Sequence, residues 1–379
     1  MKKIERRRFL STTCATVAGA VIMPYTSLAA SFNSNDVMAN SFSFVFMGDL
    51  HFDKFEHHDV AYMKDKYPND IRQVINYSHL TWETLPELFR TVKNHADELN
   101  AAFFLQLGDF LEGLCGSKEL ATKQATDFIQ FVASHELKRP FIVTKGNHDI
   151  TGTGAKEVYE EVIIPWQAKE LKREISSSNV SFVYENTRFI MLDGYNGETS
   201  LKWLKADLEN HEQDHLFICV HEPVVPYNAR SNWHLFSRNS QNREELINLL
   251  GKHKAIVLTA HLHDYSVVAR NTPNGNFVQI GIGSVIPATD NEVKVHMKGL
   301  ENYNSTLVEL EPEFSPTSLE TRKEILDREA KFIRHFEFAD FCGYGDIKIN
   351  SNNEVIMSVY ANVDKTPWNT VNLTNLLNL

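Results

Sequence analysis

"PFIVTKGNHDI", residues 140 to 150, ends an apolar run of strand length on a glycine and then sets an amide, an imidazole and a carboxylate side by side in Asn147, His148 and Asp149. Packing alone does not account for three adjacent polar side chains past a buried strand, because each needs a hydrogen-bond partner or water. The pattern recurs along the chain. "FSFVFM" (42–47) leads into "GDLH" with Asp49 and His51, and "AFFLQL" (102–107) into "GDFLE" with Asp109. "LFICV" (216–220) is followed by His221, and "AIVLTA" (255–260) runs into "AHLH" with His261 and His263. Together with "RFIMLD" (188–193), these runs alternate with segments whose apolar residues fall at three-and-four spacing, near 84–100, 117–136, 154–163, 199–213 and 240–253. Strands alternating with amphipathic helices define an α/β (α+β) fold. In α/β sheets the carboxyl ends of the strands open onto one crevice where ligands bind. Five strands therefore deliver Asp49, His51, Asp109, Asn147, His221, His261 and His263 to one place.

That inventory suits a metal centre. Neutral imidazoles and carboxylates bind divalent or trivalent ions, and an amide oxygen completes a site without adding charge. Residues two apart on extended backbone project the same way, so the Asp-x-His and His-x-His pairs can each reach one centre. After the leader, Cys115, Cys219 and Cys342 remain; they allow at most one disulfide and have no structural-zinc spacing.

The ordered series "GDLH", "GDFLE", "GNHD", a single histidine and "AHLH" resembles the calcineurin-like metallophosphoesterase superfamily, from about Phe42 to Ser284. It departs from the family pattern at Ala260, where glycine is usual; the change adds one methyl group and removes no ligand. The resemblance implies a four-layer α/β/β/α sandwich and two metal ions, Mn, Fe, Zn or Mg. Asp49, His51 and His263 would hold one ion, Asn147, His221 and His261 the other, and Asp109 would bridge them. A water acidified by the ions would attack phosphorus directly, without a covalent intermediate. His148 resembles the family's non-ligand histidine, which contacts a phosphoryl oxygen or protonates the leaving group. Asp149 is placed to orient it, or else to cap the following turn. Glu112 is read either as support behind the site or as solvated. The implied activity is hydrolysis of a phosphodiester or phosphomonoester. A purple-acid-phosphatase-like monoesterase is disfavoured: its pattern needs a tyrosine where Glu112 stands and lacks the histidine found here as His51. A non-catalytic ligand-binding module fits poorly, since every ligand is present.

The rest of the chain bounds the setting. With 379 residues and 42% hydrophobic content a large core is available. The first eight residues carry +4 of a net charge of −11, leaving −15 on the remainder, so a nucleic-acid partner is not expected. Residues 1–30 combine "RRRFL", a short apolar stretch and small residues near Ala29, which resembles a twin-arginine export signal. The mature chain is then expected to use the twin-arginine machinery, to carry no stable membrane span and to reside in the periplasm or outside the cell. "EPEFSPTS" (311–318) reads as a linker between a phosphoesterase domain at 40–312 and a small C-terminal α+β appendage at 315–379, and the "GYG" around Tyr344 reads as a turn. The long loop after His221 offers Tyr227, Arg230, Trp233 and His234 as contacts to a small phosphorylated substrate. Residues 53–82 form a second candidate lid, with His57 and His58 read as a solvated pair.

Overall fold

The computed structural model describes residues 41–236, 240–309 and 318–379. The export-like segment, the proposed break after residue 312 and most of "EPEFSPTS" lie outside them. Within the described residues the strands are β1 (Phe42–Met47), β2 (Phe104–Gln106), β3 (Phe141–Val143), β4 (Val180–Tyr184), β5 (Thr187–Met191), β6 (His215–Cys219), β7 (Ile256–Thr259), β8 (Tyr265–Thr272), β9 (Gly275–Gly281), β10 (His296–Lys298), β11 (Ile333–Ala339), β12 (Gly343–Ile349), β13 (Val355–Ala361) and β14 (Asn369–Asn372). They form two sheets. One runs β14-β13-β12-β1-β2-β3 and the other β10-β11-β8-β9-β7-β6-β5-β4.

Strand β1 shows why the sheets stack. Phe44 and Phe46 point into the space between the sheets, while Val45 and Met47 point to the helices behind, and all four are fully buried. A strand covered on both faces reads as a continuous apolar run, which is what "FSFVFM" is. Between the sheets Phe44 stacks on Phe103 at 5.3 Å and meets Phe189 and Phe217 edge-on at 5.2 and 5.3 Å. Helices Leu85–Leu99 and Lys118–Ser134 cover the first sheet through Leu88, Phe89, Val92 and Phe128. Helices Gly197–Leu208 and Leu319–Ala330 cover the second through Leu204 and Leu326. The result is the expected four-layer α/β/β/α sandwich.

Three expectations are corrected. The C-terminal segment is not an appendage: β12 pairs antiparallel with β1 from Phe42–Ile349 to Met47–Tyr344, and β11 lies between β8 and β10 in the other sheet. The described residues from 41 to 379 accordingly belong to one compact unit. The "GYG" is no turn but the start of β12, and Gly345 is needed there because a Cβ would come within 2.4 Å of the Phe46 ring. Finally, His57 and His58 are buried rather than solvated. His58 Nε2 lies 2.8 Å from Asp53 Oδ1 and His57 Nε2 3.0 Å from Asp127 Oδ2. Asp53 also accepts from Ser78 Oγ at 2.5 Å and Gln124 Nε2 at 2.8 Å, which fastens helix Ile71–Glu83 to the body. Among the described residues no helix is long and apolar enough to cross a membrane.

Candidate metal centre

Strands β1, β2 and β3 are parallel neighbours in one sheet and β6 and β7 in the other, so the loops leaving their carboxyl ends meet. Asp49, His51 and His263 present ligand atoms within 4.8 Å of one another, and Asp109, His221 and His261 do the same. The two groups touch. His221 Nε2 lies 2.9 Å from Asp109 Oδ2 and 3.8 Å from Asp49 Oδ1, while His263 Nε2 is 3.5 Å from Asp49 Oδ1.

The donor set fits metal ions. His51 Nε2 faces His263 Nε2 at 3.0 Å, and His261 Nδ1 faces His221 Nε2 at 3.2 Å. Imidazole nitrogens so close have no reason to converge except around a shared proton or cation. Backbone strain points the same way: His51, Asp109, His261 and His263 all hold positive φ, at 46°, 53°, 74° and 60°. Left-handed conformations in residues with side chains cost about 1–3 kcal/mol each and cluster at functional sites. The approach of the loops is equally tight. A Cβ on Gly146 would lie 2.1 Å from both the Asp109 amide nitrogen and Oδ1, so only glycine lets the "GNHD" loop pack onto Asp109. Ala260, by contrast, keeps a negative φ and is buried in the inter-sheet core, which explains why alanine is accepted there.

Charge is balanced inside the cluster. Burial pushes the Asp49 and Asp109 carboxyls up, but His263 acting on Asp49 and His221 on Asp109 outweigh it and hold both below the ordinary range. Burial drives His51 and His261 far below the usual imidazole range, helped by His148 and His221 respectively. His221 moves the other way: despite burial, Asp109 and Asp49 raise it to about 10, so a proton there takes the place a cation would fill. The ionised Asp49 and Asp109 carboxylates and the neutral His51 and His261 imidazoles are in the protonation states that metal binding requires.

His148 and Asp149 separate in space. His148 Nδ1 sits 2.7 Å from the Glu112 carbonyl oxygen and 3.4 Å from Glu112 Oε2, which leaves Nε2 as the ring nitrogen for a substrate. Although burial lowers its pKa, Glu112 and Asp109 bring it up to about 9. Asp149 does not orient His148, contrary to expectation. Its carboxylate accepts the amides of Asp109 (3.1 Å), Leu111 (3.0 Å) and Gly146 (2.7 Å), tying the Asp109 loop to the "GNHD" loop. Orientation falls to the fully buried Glu112, whose Oε2 also lies 2.6 Å from His51 Nδ1.

Other residues complete the surroundings. Asn147 Oδ1 lies 3.5 Å from the Tyr195 hydroxyl, and Tyr195 follows the buried Asp193 at the end of β5. Tyr77 stacks on His51 at 4.3 Å, and Gln73 Nε2 donates to Glu112 Oε1 at 3.1 Å. Sequence reasoning missed Gln73, Tyr77 and Tyr195; the only signal was the four-residue spacing of the first two on a helix. Of the loop candidates, His234 packs on His261 at 4.4 Å with Trp233 beside it, and the charge of exposed Arg230 reaches His261. Tyr227 is corrected: it is fully buried in the core behind the second sheet and cannot meet a substrate.

A two-sheet sandwich with clustered Asp and His at its strand ends defines a metal-dependent hydrolase architecture. The model of the calcineurin-like phosphoesterase family matches residues 42–265, and the chain belongs to that family. It is a metallophosphoesterase, a hydrolase of phosphoric esters. Among solved structures, a dimetal phosphatase from Danio rerio is similar at 13% identity and a TM-score of 0.51, over 88% of this chain and 99% of that one. A purple acid phosphatase from yellow lupin is similar at 14% identity and a TM-score of 0.50, over 88% of this chain and 53% of that one. This chain thus spans about half the lupin protein, and both likenesses concern the fold. Among curated proteins no sequence matches.

Proposed function

We propose that the protein is an exported, two-metal hydrolase of a small phosphodiester or phosphomonoester. One observation carries the reading: two Asp/His groups from four strand ends, Asp49/His51/His263 and Asp109/His221/His261, meet where His221 Nε2 lies 3.8 Å from Asp49 Oδ1. In this reading Asp49, His51 and His263 would hold one ion, Asn147, His221 and His261 would hold the second, and Asp109 would serve both. Mn, Fe, Zn and Mg all suit these donors. When bound, the ions supply an acidified water and neutralise phosphoryl charge.

The chain does the rest. Glu112 fixes His148 through Nδ1, so its Nε2 donates a proton to the leaving oxygen. Asp149 holds the two loops in register, and Arg230, Trp233 and His234 face the substrate on the side of His261. The basic leader supports export by the twin-arginine route to the periplasm or beyond.

The test is a panel of p-nitrophenyl phosphate, bis-(p-nitrophenyl) phosphate and natural mono- and diesters, assayed with each metal. Metal-dependent turnover of at least one ester is expected. No turnover of any ester with any metal would sink the proposal.

A further inference from the structure

Helix Ile71–Glu83 presents three faces. Val74, Ser78 and Thr81 are buried against the body, and Ile75 and Trp82 are exposed at 52% and 66%. The third face, at three-and-four spacing, carries Asp70, Gln73 and Tyr77. Gln73 is held by Glu112 and Tyr77 by His51, so this face lies along the side of the centre where His148 stands.

Asp70 is the unexplained member. It occupies the N-cap position, where an aspartate ordinarily accepts its own helix's amides. Here its φ and ψ are −93° and −8°, and its side chain makes no capping bond. Nor does an ion pair or hydrogen bond occupy the carboxylate among the described residues. It is half-buried, which raises its carboxyl above the ordinary range, while the charge of His148 lowers it and that of Glu112 raises it. An unpaired carboxylate one turn before Gln73, on the helix face that meets Glu112 and His51, has a direct consequence: it accepts hydroxyl or ammonium donors and repels anions.

We propose that Asp70 selects the leaving alcohol, favouring hydroxyl-bearing or cationic groups and excluding those that carry negative charge. The inference rests on the proposed phosphoesterase reading. It gives a place on the helix to a carboxylate that caps nothing.

The experiment uses the metal-supplied full chain and aryl esters with either a 4-hydroxymethyl or a 4-carboxylate substituent, each as monoester and symmetric diester. The wild type should prefer the hydroxymethyl ester. D70N should shrink that preference by about fivefold, the size of one solvent-screened charge contact. D70K should shrink it further or reverse it, with the change in KM rather than kcat. Titration with the two corresponding arylmethyl phosphonates reads the same preference as binding, without turnover. Preferences unchanged in both variants, with circular dichroism showing them folded, would overturn the inference. So would kcat falling equally for both esters, which would mean that Asp70 acts through His148. Hydrolysis of none of the four esters by the wild type would instead defeat the phosphoesterase reading.

Discussion

His148 is held from the side, by a carbonyl and a carboxylate of Glu112 three residues past Asp109, and not by its neighbour Asp149. Adjacent residues on a turn project in different directions, so sequence adjacency says little about which side chains meet. The separation has a measurable consequence. His148→Ala should keep its metal ions and lose about 10²–10⁴-fold in turnover, the usual range for a general acid. Asp149→Ala should instead lose stability and metal content together, because three backbone amides lose their acceptor at about 1–3 kcal/mol for each left unpaired. Elemental analysis, thermal melts and initial rates on the two variants check this. Full activity in His148→Ala, or an unaltered melting temperature in Asp149→Ala, would contradict the division of roles. The clustered Asp and His residues were legible because they follow strand ends, two after β1, one each after β2 and β6, and two after β7. Glu112, Gln73 and Tyr77 were not, since their importance depends on which side chains stand across the crevice.

The elements behind the second sheet are fastened by a buried carboxylate. Glu329, on helix Leu319–Ala330, receives Arg243 Nη1 at 2.7 Å from helix Ser240–Lys252 and Arg270 Nε at 2.8 Å from β8. Burial alone would push its carboxyl up, but the two guanidinium groups outweigh that and hold it below its ordinary value of 4.5. A carboxyl depressed in the folded state stabilises the protein above its unfolded pKa, and the stabilisation is lost as pH falls through the folded value. Glu329→Gln should therefore destabilise by about 3–5 kcal/mol at neutral pH, the cost of leaving buried charges unmatched. The difference from wild type should narrow from about pH 4.5 downward in denaturant titrations. A difference constant from pH 7 to pH 3 would contradict this. Helix Ser240–Lys252 was legible from its amphipathic spacing, as were most others. The helices at 60–66 and 71–83 were not, because polar residues such as Asp53, His57 and His58 turned out to face inward and pair with one another.

For the whole molecule, the alternation of strand and helix over residues 42–284 was readable because consecutive parallel strands and their covering helices leave local patterns. The C-terminal strands could not be placed in a sheet, because β12 finds β1 across some 300 positions of chain and nothing local to either announces the pairing. Removal of residues 315–379 should therefore open the first sheet beside β1 and leave an insoluble or unfolded chain, rather than a trimmed enzyme. A soluble truncated protein with a cooperative melt would restore the appendage view. The central claim concerns the metal pair and its bridge. Elemental analysis of purified wild type and Asp109→Ala measures it most directly: close to two ions per chain are expected in the first and a loss of both in the second. A wild type without metal, or an Asp109→Ala variant that keeps two ions per chain, would contradict it.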